Sequence, residues 1–259
     1  MLRILFPAVL ALAGSVPMAI AAQQVGVAVE AATLVTGSGP EGEREIAKNS
    51  PIFLDDRLLA TPSGNAQIIL VDKTRIVVGP GAQIDIDDFA YATKSTFASI
   101  TVKASQGAFR FISGASKPAA YKIETPTGTI GVRGTAFDVG ISEGRVHVVM
   151  VRGTVELCPA NGQCQLLTGL CSYGVMGSES VEVAGNLRTK SQAEKANFPL
   201  MANERALRMQ FRQGGRCAST ASNRTFSNQD RTGDSFSPEF SPSREKGGGG
   251  NKDNNNDNR

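Results

Sequence analysis

Between residues 25 and 183 the apolar residues come in runs of four to seven, separated at short intervals by turn residues. That spacing is the signature of an all-β domain. The clearest runs are 66–71, 75–78, 99–103, 108–112, 121–124, 136–141, 146–151 and 154–157. Gly79-Pro80-Gly81, Thr61-Pro62-Ser63-Gly64 and Thr125-Pro126-Thr127-Gly128 mark turns among them. In each Thr-Pro-x-Gly the proline presets the second turn position and the glycine relieves the fourth.

Two kinds of strand are visible. Phe137, Val139 and Ile141 alternate with Asp138 and Gly140, the pattern of a strand with one wet face. Residues 68–71, 76–78 and 148–151 are apolar on both faces and belong in the centre of a sheet or beneath a second layer. Two stacked or wrapped sheets follow, since one open sheet would leave an apolar face in water. The triplet Arg-Gly-Thr occurs at 133–135 and again at 152–154, and Thr168-Gly169-Leu170 lies near the next step, a spacing close to one coil of a parallel β-solenoid. Val71-Asp72-Lys73-Thr74 signals a hairpin instead. The expected fold is therefore an all-β, two-layered, solenoid-like roll with some hairpins, with a β-sandwich as the alternative.

The ends differ from this middle. Residues 1–22 carry Arg3, an apolar stretch over 4–12, breakers at Gly14 and Pro17, and the small-residue run Ala19-Ile20-Ala21-Ala22, the layout of a secretory signal peptide. The apolar run is short of the roughly 20 residues that a membrane span needs. The mature chain is expected to be soluble, periplasmic or secreted, with no membrane-integral segment. Residues 23–187 form the expected all-β domain, 188–218 a basic helical segment and 219–259 a disordered tail too poor in apolar residues to offset its ordering entropy. In the basic segment Leu200, Leu207 and Phe211 make one helical stripe, Arg205, Arg208 and Arg212 share another face, and Pro199 suits the first turn. The expected role is a helix docked on the roll with a solvated basic rim; a membrane-surface or partner helix is the alternative.

Charge and chemistry exclude several functions. The chain carries 27 basic and 24 acidic residues, and the domain itself is mildly acidic, which argues against nucleic acid as a partner. The single histidine, His147, lies within a strand and offers poor material for a hydrolase or for His-rich metal sites. Asp85, Asp87 and Asp88 could serve glycoside hydrolysis or calcium, but Asp85 and Asp87 alternate with Ile84 and Ile86 as on a solvated strand face, and the glycine and terminal glutamate of a calcium loop are missing. Gly79-Pro80-Gly81 leads to a strand rather than a helix and gives no phosphate site. No catalytic residue, metal or cofactor is expected. Cys158 and Cys164 flank a turn-rich loop and are expected to form a hairpin staple, leaving Cys171 to hold Cys217. A tetrathiolate zinc site is the competing reading, although no C-x2-C unit occurs.

Residues 121–139 read YKIETPTGTIGVRGTAFDV. This stretch closely resembles the signature of the FecR domain, in which an extended strand, a Thr-Pro-x-Gly-like turn and a Val-Arg-Gly-Thr-x-Phe-x-Val strand follow one another. Residues 58–82 look like the same domain's earlier half and 146–157 like its closing strands, so the similarity spans roughly 46–175. The resemblance implies an all-β envelope module associated with signalling, in the best-known arrangement the periplasmic part of a sigma-factor regulator that contacts an outer-membrane siderophore transporter. No cytoplasmic sigma-binding region or internal span is visible, so a stand-alone, exported module is expected.

The signature residues Thr125, Pro126, Gly128, Val132, Arg133, Gly134, Thr135 and Phe137 also have structural readings. The apolar parity changes between Val132 and Phe137, which a bulge at Gly134 explains. Arg133 is then expected to pair with a carboxylate such as Asp138 or Glu124, or to donate to carbonyls at the bend, with a ligand role as the alternative. The expected function is non-enzymatic binding of an envelope protein or polymer. A structural or surface protein that self-associates, with the roll as scaffold or adhesive element, is the alternative.

Overall fold

The computed structural model describes residues 22–32, 34–213 and 217. The signal-peptide and disordered-tail expectations lie outside the described residues. Among the described residues fifteen strands are hydrogen-bonded into one sheet: β1 (Gln24–Ala32), β2 (Val35–Gly39), β3 (Gly42–Glu45), β4 (Pro51–Phe53), β5 (Arg57–Ala60), β6 (Asn65–Leu70), β7 (Arg75–Val78), β8 (Gln83–Thr93), β9 (Thr96–Ile112), β10 (Tyr121–Thr125), β11 (Gly128–Ser142), β12 (Arg145–Pro159), β13 (Gln165–Thr168), β14 (Ser172–Met176) and β15 (Val181–Asn186).

Three long strands turn this sheet into two layers. The first half of β9 pairs with β8 and β10, whereas residues 109–112 pair with β7 and 107–112 with the second half of β11. The first half of β11 likewise pairs with β10 and with the end of β12, and its second half with the start of β12. The changes of layer coincide with Gly107, Gly134 and Gly153, whose φ angles are +77°, +68° and +84°. Only glycine adopts this region without steric cost. One layer therefore contains β2, β3, β5, β8, β10 and β13, and the other β1, β4, β6, β7, β14 and β15, with β9, β11 and β12 shared. Ile84, Val102, Ile123, Ile130 and Leu157 of the first layer meet Ile68, Ile76, Phe111, Phe137 and Val148 of the second in one core.

The two-layered roll is thus present, and its ladders are antiparallel except for β9 with β10. The Arg-Gly-Thr repetition has a different origin from solenoid coils. Arg133 pairs with Thr154 and Ala136 with Arg152, so the two triplets lie opposite each other as the joint bend of β11 and β12. A bend in one strand of an antiparallel pair demands a matching bend in its neighbour, which explains why the same triplet occurs twice.

The doubly apolar runs are covered by the C-terminal segment, comprising α1 (Lys190–Lys195), α2 (Pro199–Ala202) and the 3-10 turns Glu204–Ala206 and Met209–Phe211. Leu200, Leu207 and Phe211 pack on Val77, and Leu187, Ala193, Phe198 and Met201 pack on Ile112, Ala136, Val149 and Val151. Each leucine, phenylalanine or methionine among these contributes about 1.5–3 kcal/mol when fully buried. The single helix suggested by the Leu200, Leu207 and Phe211 stripe is broken into short turns. Thr189 and Gln192 form a capping box that starts α1, Asn197 at φ +61° follows its end, and Pro199 opens α2. The basic rim is also not simply solvated. The Arg208 amide donates to Gln67 Oε1 at 2.8 Å and its guanidinium to the Val29 carbonyl, while Arg212 donates to the carbonyls of Leu207 and Arg205.

The covered layer also overturns the wet-face reading of β11. Asp138 is 1% exposed, and a β-carbon at Gly140 would meet the Asn197 carbonyl oxygen at 2.7 Å. Cys158 is bonded to Cys164 beside the β12–β13 turn, and Cys171 to Cys217, which ties the segment to the strand region it covers. No described helix is long and apolar enough to cross a membrane.

Candidate functional site

The signature begins as a two-residue hairpin turn. Thr125 and Gly128 close the β10–β11 ladder around Pro126 and Thr127, and the Thr125 hydroxyl donates to the Gly128 carbonyl at 2.7 Å. A β-carbon at Gly128 would sit 2.2 Å from the Cys158 carbonyl oxygen, so close strand approach requires glycine there. Thr127 Oγ1 donates to the Met176 carbonyl at 3.2 Å. Val132 and Phe137 point into the core, the latter 5.7 Å ring to ring from Phe111. Between them the register shifts after Arg133, at the left-handed Gly134. The parity change in the sequence is therefore a bulge. Thr135 is fully buried, its amide donating to Ser113 Oγ and its carbonyl accepting from the same hydroxyl.

Of the signature residues Pro126, Arg133 and Gly134 are exposed, and Arg133 is the one that carries a charge. Its side chain is 60% exposed, and its nearest carboxylate is Glu156, at 3.6 Å, rather than the expected Asp138 or Glu124. Asp138 is taken by Arg110 and Glu124 by Lys122. Arg133 and Glu156 edge a cleft of about 580 Å³, walled by Pro118, Ala119 and Tyr121 and floored by Gly131 and Val132. A short 3-10 turn, Pro118–Ala120, raises the wall beside β10. Glu156 and the wall residues carry no signal in the sequence, since cross-strand register brings them to Arg133.

The cleft opens on a face where charges alternate across the strands. Arg57 pairs with Asp85 at 2.8 Å, Lys103 with Asp87 at 2.8 Å and Lys122 with Glu124 at 2.6 Å. A bulge after Ile86 separates Asp88 in register from these two, and the three aspartates do not converge. Among the described residues no group of three potential metal ligands occurs. His147 contacts the Tyr173 hydroxyl through Nδ1 at 2.8 Å, and burial, followed by the charge of Arg145, lowers its pKa.

Two buried networks hold the frame around this face. Asp72 is fully buried and accepts from the Thr74 amide at 2.8 Å, Thr74 Oγ1 at 2.9 Å, Ser116 Oγ at 2.7 Å and the Tyr121 hydroxyl at 2.6 Å. This knot fastens the β6–β7 turn to the strand that carries the cleft wall. Arg110, fully buried on β9, donates to Asp138 Oδ2 at 2.8 Å, to the Phe211 carbonyl at 3.0 Å and to Glu204. Burial opposes the Arg110 charge, but Asp138 and Glu204 outweigh it and raise its pKa.

Residues 56–156 match the family model described as FecR protein. Over this stretch the chain is similar to FecR proteins. The matched region contains Arg110, the whole signature and both charged edges of the cleft. The comparison with curated proteins found no match. Among solved structures, two from Parabacteroides distasonis described as candidate anti-sigma factors are similar. The one at 2.50 Å is 13% identical, with a TM-score of 0.42, over 50% of this chain and 59% of that one. The one at 1.65 Å is 12% identical, with a TM-score of 0.41, over 55% and 74% respectively. The chain thus spans about three fifths of the first of these.

Proposed function

We propose that this chain is a non-catalytic binding module of the bacterial cell envelope, linked to signalling, that docks a protein partner at the signature cleft of its FecR-like domain. The observation that carries this reading is Arg133, a solvent-facing cation in the motif, held only loosely by Glu156 at the edge of an open cleft. An acidic group of a partner would displace Glu156 at little cost, because an exposed pair at this separation contributes little. Asp85 and Asp87 have salt-bridge partners, which favours binding over chemistry. Export after removal of 1–22, to the periplasm or beyond, accords with two disulfides, which persist in oxidising compartments.

A scaffold that self-associates is the second reading. β15 ends the sheet order and leaves Val183 55% exposed, so one edge is available for pairing. The test is a photo-crosslinker placed at Lys122, next to the cleft, in the native envelope. The expected result is a single protein adduct that disappears in Arg133→Glu. Adducts between copies of the chain would support the scaffold reading, and an adduct indifferent to Arg133→Glu would overturn docking at the cleft.

A further inference from the structure

On the strands of the open layer, Arg44, Arg57, Lys103, Lys122 and Arg133 each face a carboxylate. A second group of cations does not. Arg75 on β7 and Arg152 on β12 lie in one cross-strand row, linked through Ile112 and Ala136, and Lys73 occupies the β6–β7 turn. Lys73 and Arg75 line a cavity of about 420 Å³, with Ile69, Ser113, Gly114, Ala115 and Gln210.

Among the described residues the cavity lining supplies no carboxylate. Arg75 donates to the Gln210 carbonyl at 2.7 Å, and its Nε is buried without a hydrogen-bond partner. Among the described residues neither Lys73 nor Arg152 has an ion-pair partner. The neighbouring carboxylate, Asp72, is turned inward and receives four donors in the knot described above. The Ser113 hydroxyl is engaged with Thr135 and the Gly114 amide with Thr74 and Tyr121, so the cationic groups are what the cavity offers a ligand. Burial and then the charge of Arg152 hold the Arg75 pKa below its ordinary value. Like charges gathered beside a cavity are relieved by a bound anion.

We propose that this cavity is a second binding site, distinct from the signature cleft, which takes a compact oxyanion, carboxylate or phosphate, between Lys73 and Arg75 with Arg152 beside it. Arg75 is suited to either group because its planar fork matches both geometries, and the Gln210 carbonyl already fixes its orientation.

The test is calorimetric titration of the full chain at low ionic strength with inorganic phosphate and, separately, with succinate. Saturable one-to-one binding of at least one anion is expected, weakened about tenfold or more in Lys73→Gln and in Arg75→Gln and by added salt. Binding of phosphate alone would assign a phosphoryl ligand, and of succinate alone a carboxylate ligand. Arg133→Gln should leave the affinity unchanged, which separates this site from the cleft. Lys73 lies in an exposed turn, so its variant tests the site even if Arg75→Gln folds poorly. No saturable binding of either anion, or affinity unchanged in Lys73→Gln and Arg75→Gln, would overturn the proposal.

Discussion

On the open layer, ion pairs such as Arg57 with Asp85 stand in solvent, with side chains 57% and 26% exposed. On the covered layer, the side chains of Arg110 and Asp138 are 0% and 2% exposed beneath the C-terminal segment. Both are arginine–aspartate pairs across neighbouring strands of one sheet, but water decides what each contributes. The exposed pairs are screened and replaceable, which leaves their face free to exchange partners. The buried network is committed, because loss of one member strands the others in a dry site. The comparison teaches that one layer acts as the frame and the other as the working surface.

The largest effect should come from Arg110→Met, which leaves Asp138 and Glu204 facing an apolar side chain. A loss of about 3–5 kcal/mol in urea unfolding is expected, the range for breaking a buried pair. Arg57→Gln should leave the urea midpoint unchanged, and an equal loss there would break the contrast between the layers. Next in size is the double variant Cys171→Ser with Cys217→Ser. Its closed loop has a sequence separation of 46, worth about 4 kcal/mol on the chain-entropy account, against about 2 kcal/mol for the pair separated by 6. Unreduced peptide mapping should recover both pairs, and any other pairing would refute the described fastening of the segment.

The shared bend offers a finer test. Gly134→Ala meets no neighbour and should cost about 1–2 kcal/mol for its left-handed backbone alone. Gly153→Ala carries the same strain and would also bring a β-carbon within 2.5 Å of the Gly134 carbonyl oxygen, so it should cost more. Equal losses would mean that the two bends are not packed together. The smallest effect concerns His147, whose pKa is lowered in the folded state. The unfolded chain then takes up a proton before the folded one, so stability should be full above the ordinary histidine range and decline as pH falls through and below it. His147→Gln should flatten that part of the stability profile.

Much of the fold is legible in residue pattern, because pattern reports local constraint. The Thr-Pro-Thr-Gly turn, the bulge at Gly134 and the doubly apolar run at 148–151 each follow from backbone geometry or burial at the position itself. Asp138 misleads for the same reason. An acid alternating with apolar residues looks wet, but its partner Arg110 lies 28 residues before it, and Glu204, the second carboxylate on that arginine, lies far after it. The repeated Arg-Gly-Thr triplet resembles a coil period when read along the chain, and only the antiparallel register shows that it is one bend in two strands. The broken C-terminal helix is likewise set by a distant group, since Glu204 is held by Arg110 rather than extending the Leu200 stripe. Of the candidate site, Arg133 is visible in the motif, while Glu156 and the wall at Pro118–Ala120 depend on register and tertiary packing.

Hydrogen exchange of the full chain, with and without Arg110→Met under native conditions, tests most directly whether the C-terminal segment seals one layer and leaves the other independent. Exchange should quicken across the C-terminal segment and over residues 75–78, 109–112 and 136–141, while 121–133 keeps its protection. A uniform rise over both layers, or no change in the segment, would contradict the division into a sealed frame and an open working surface.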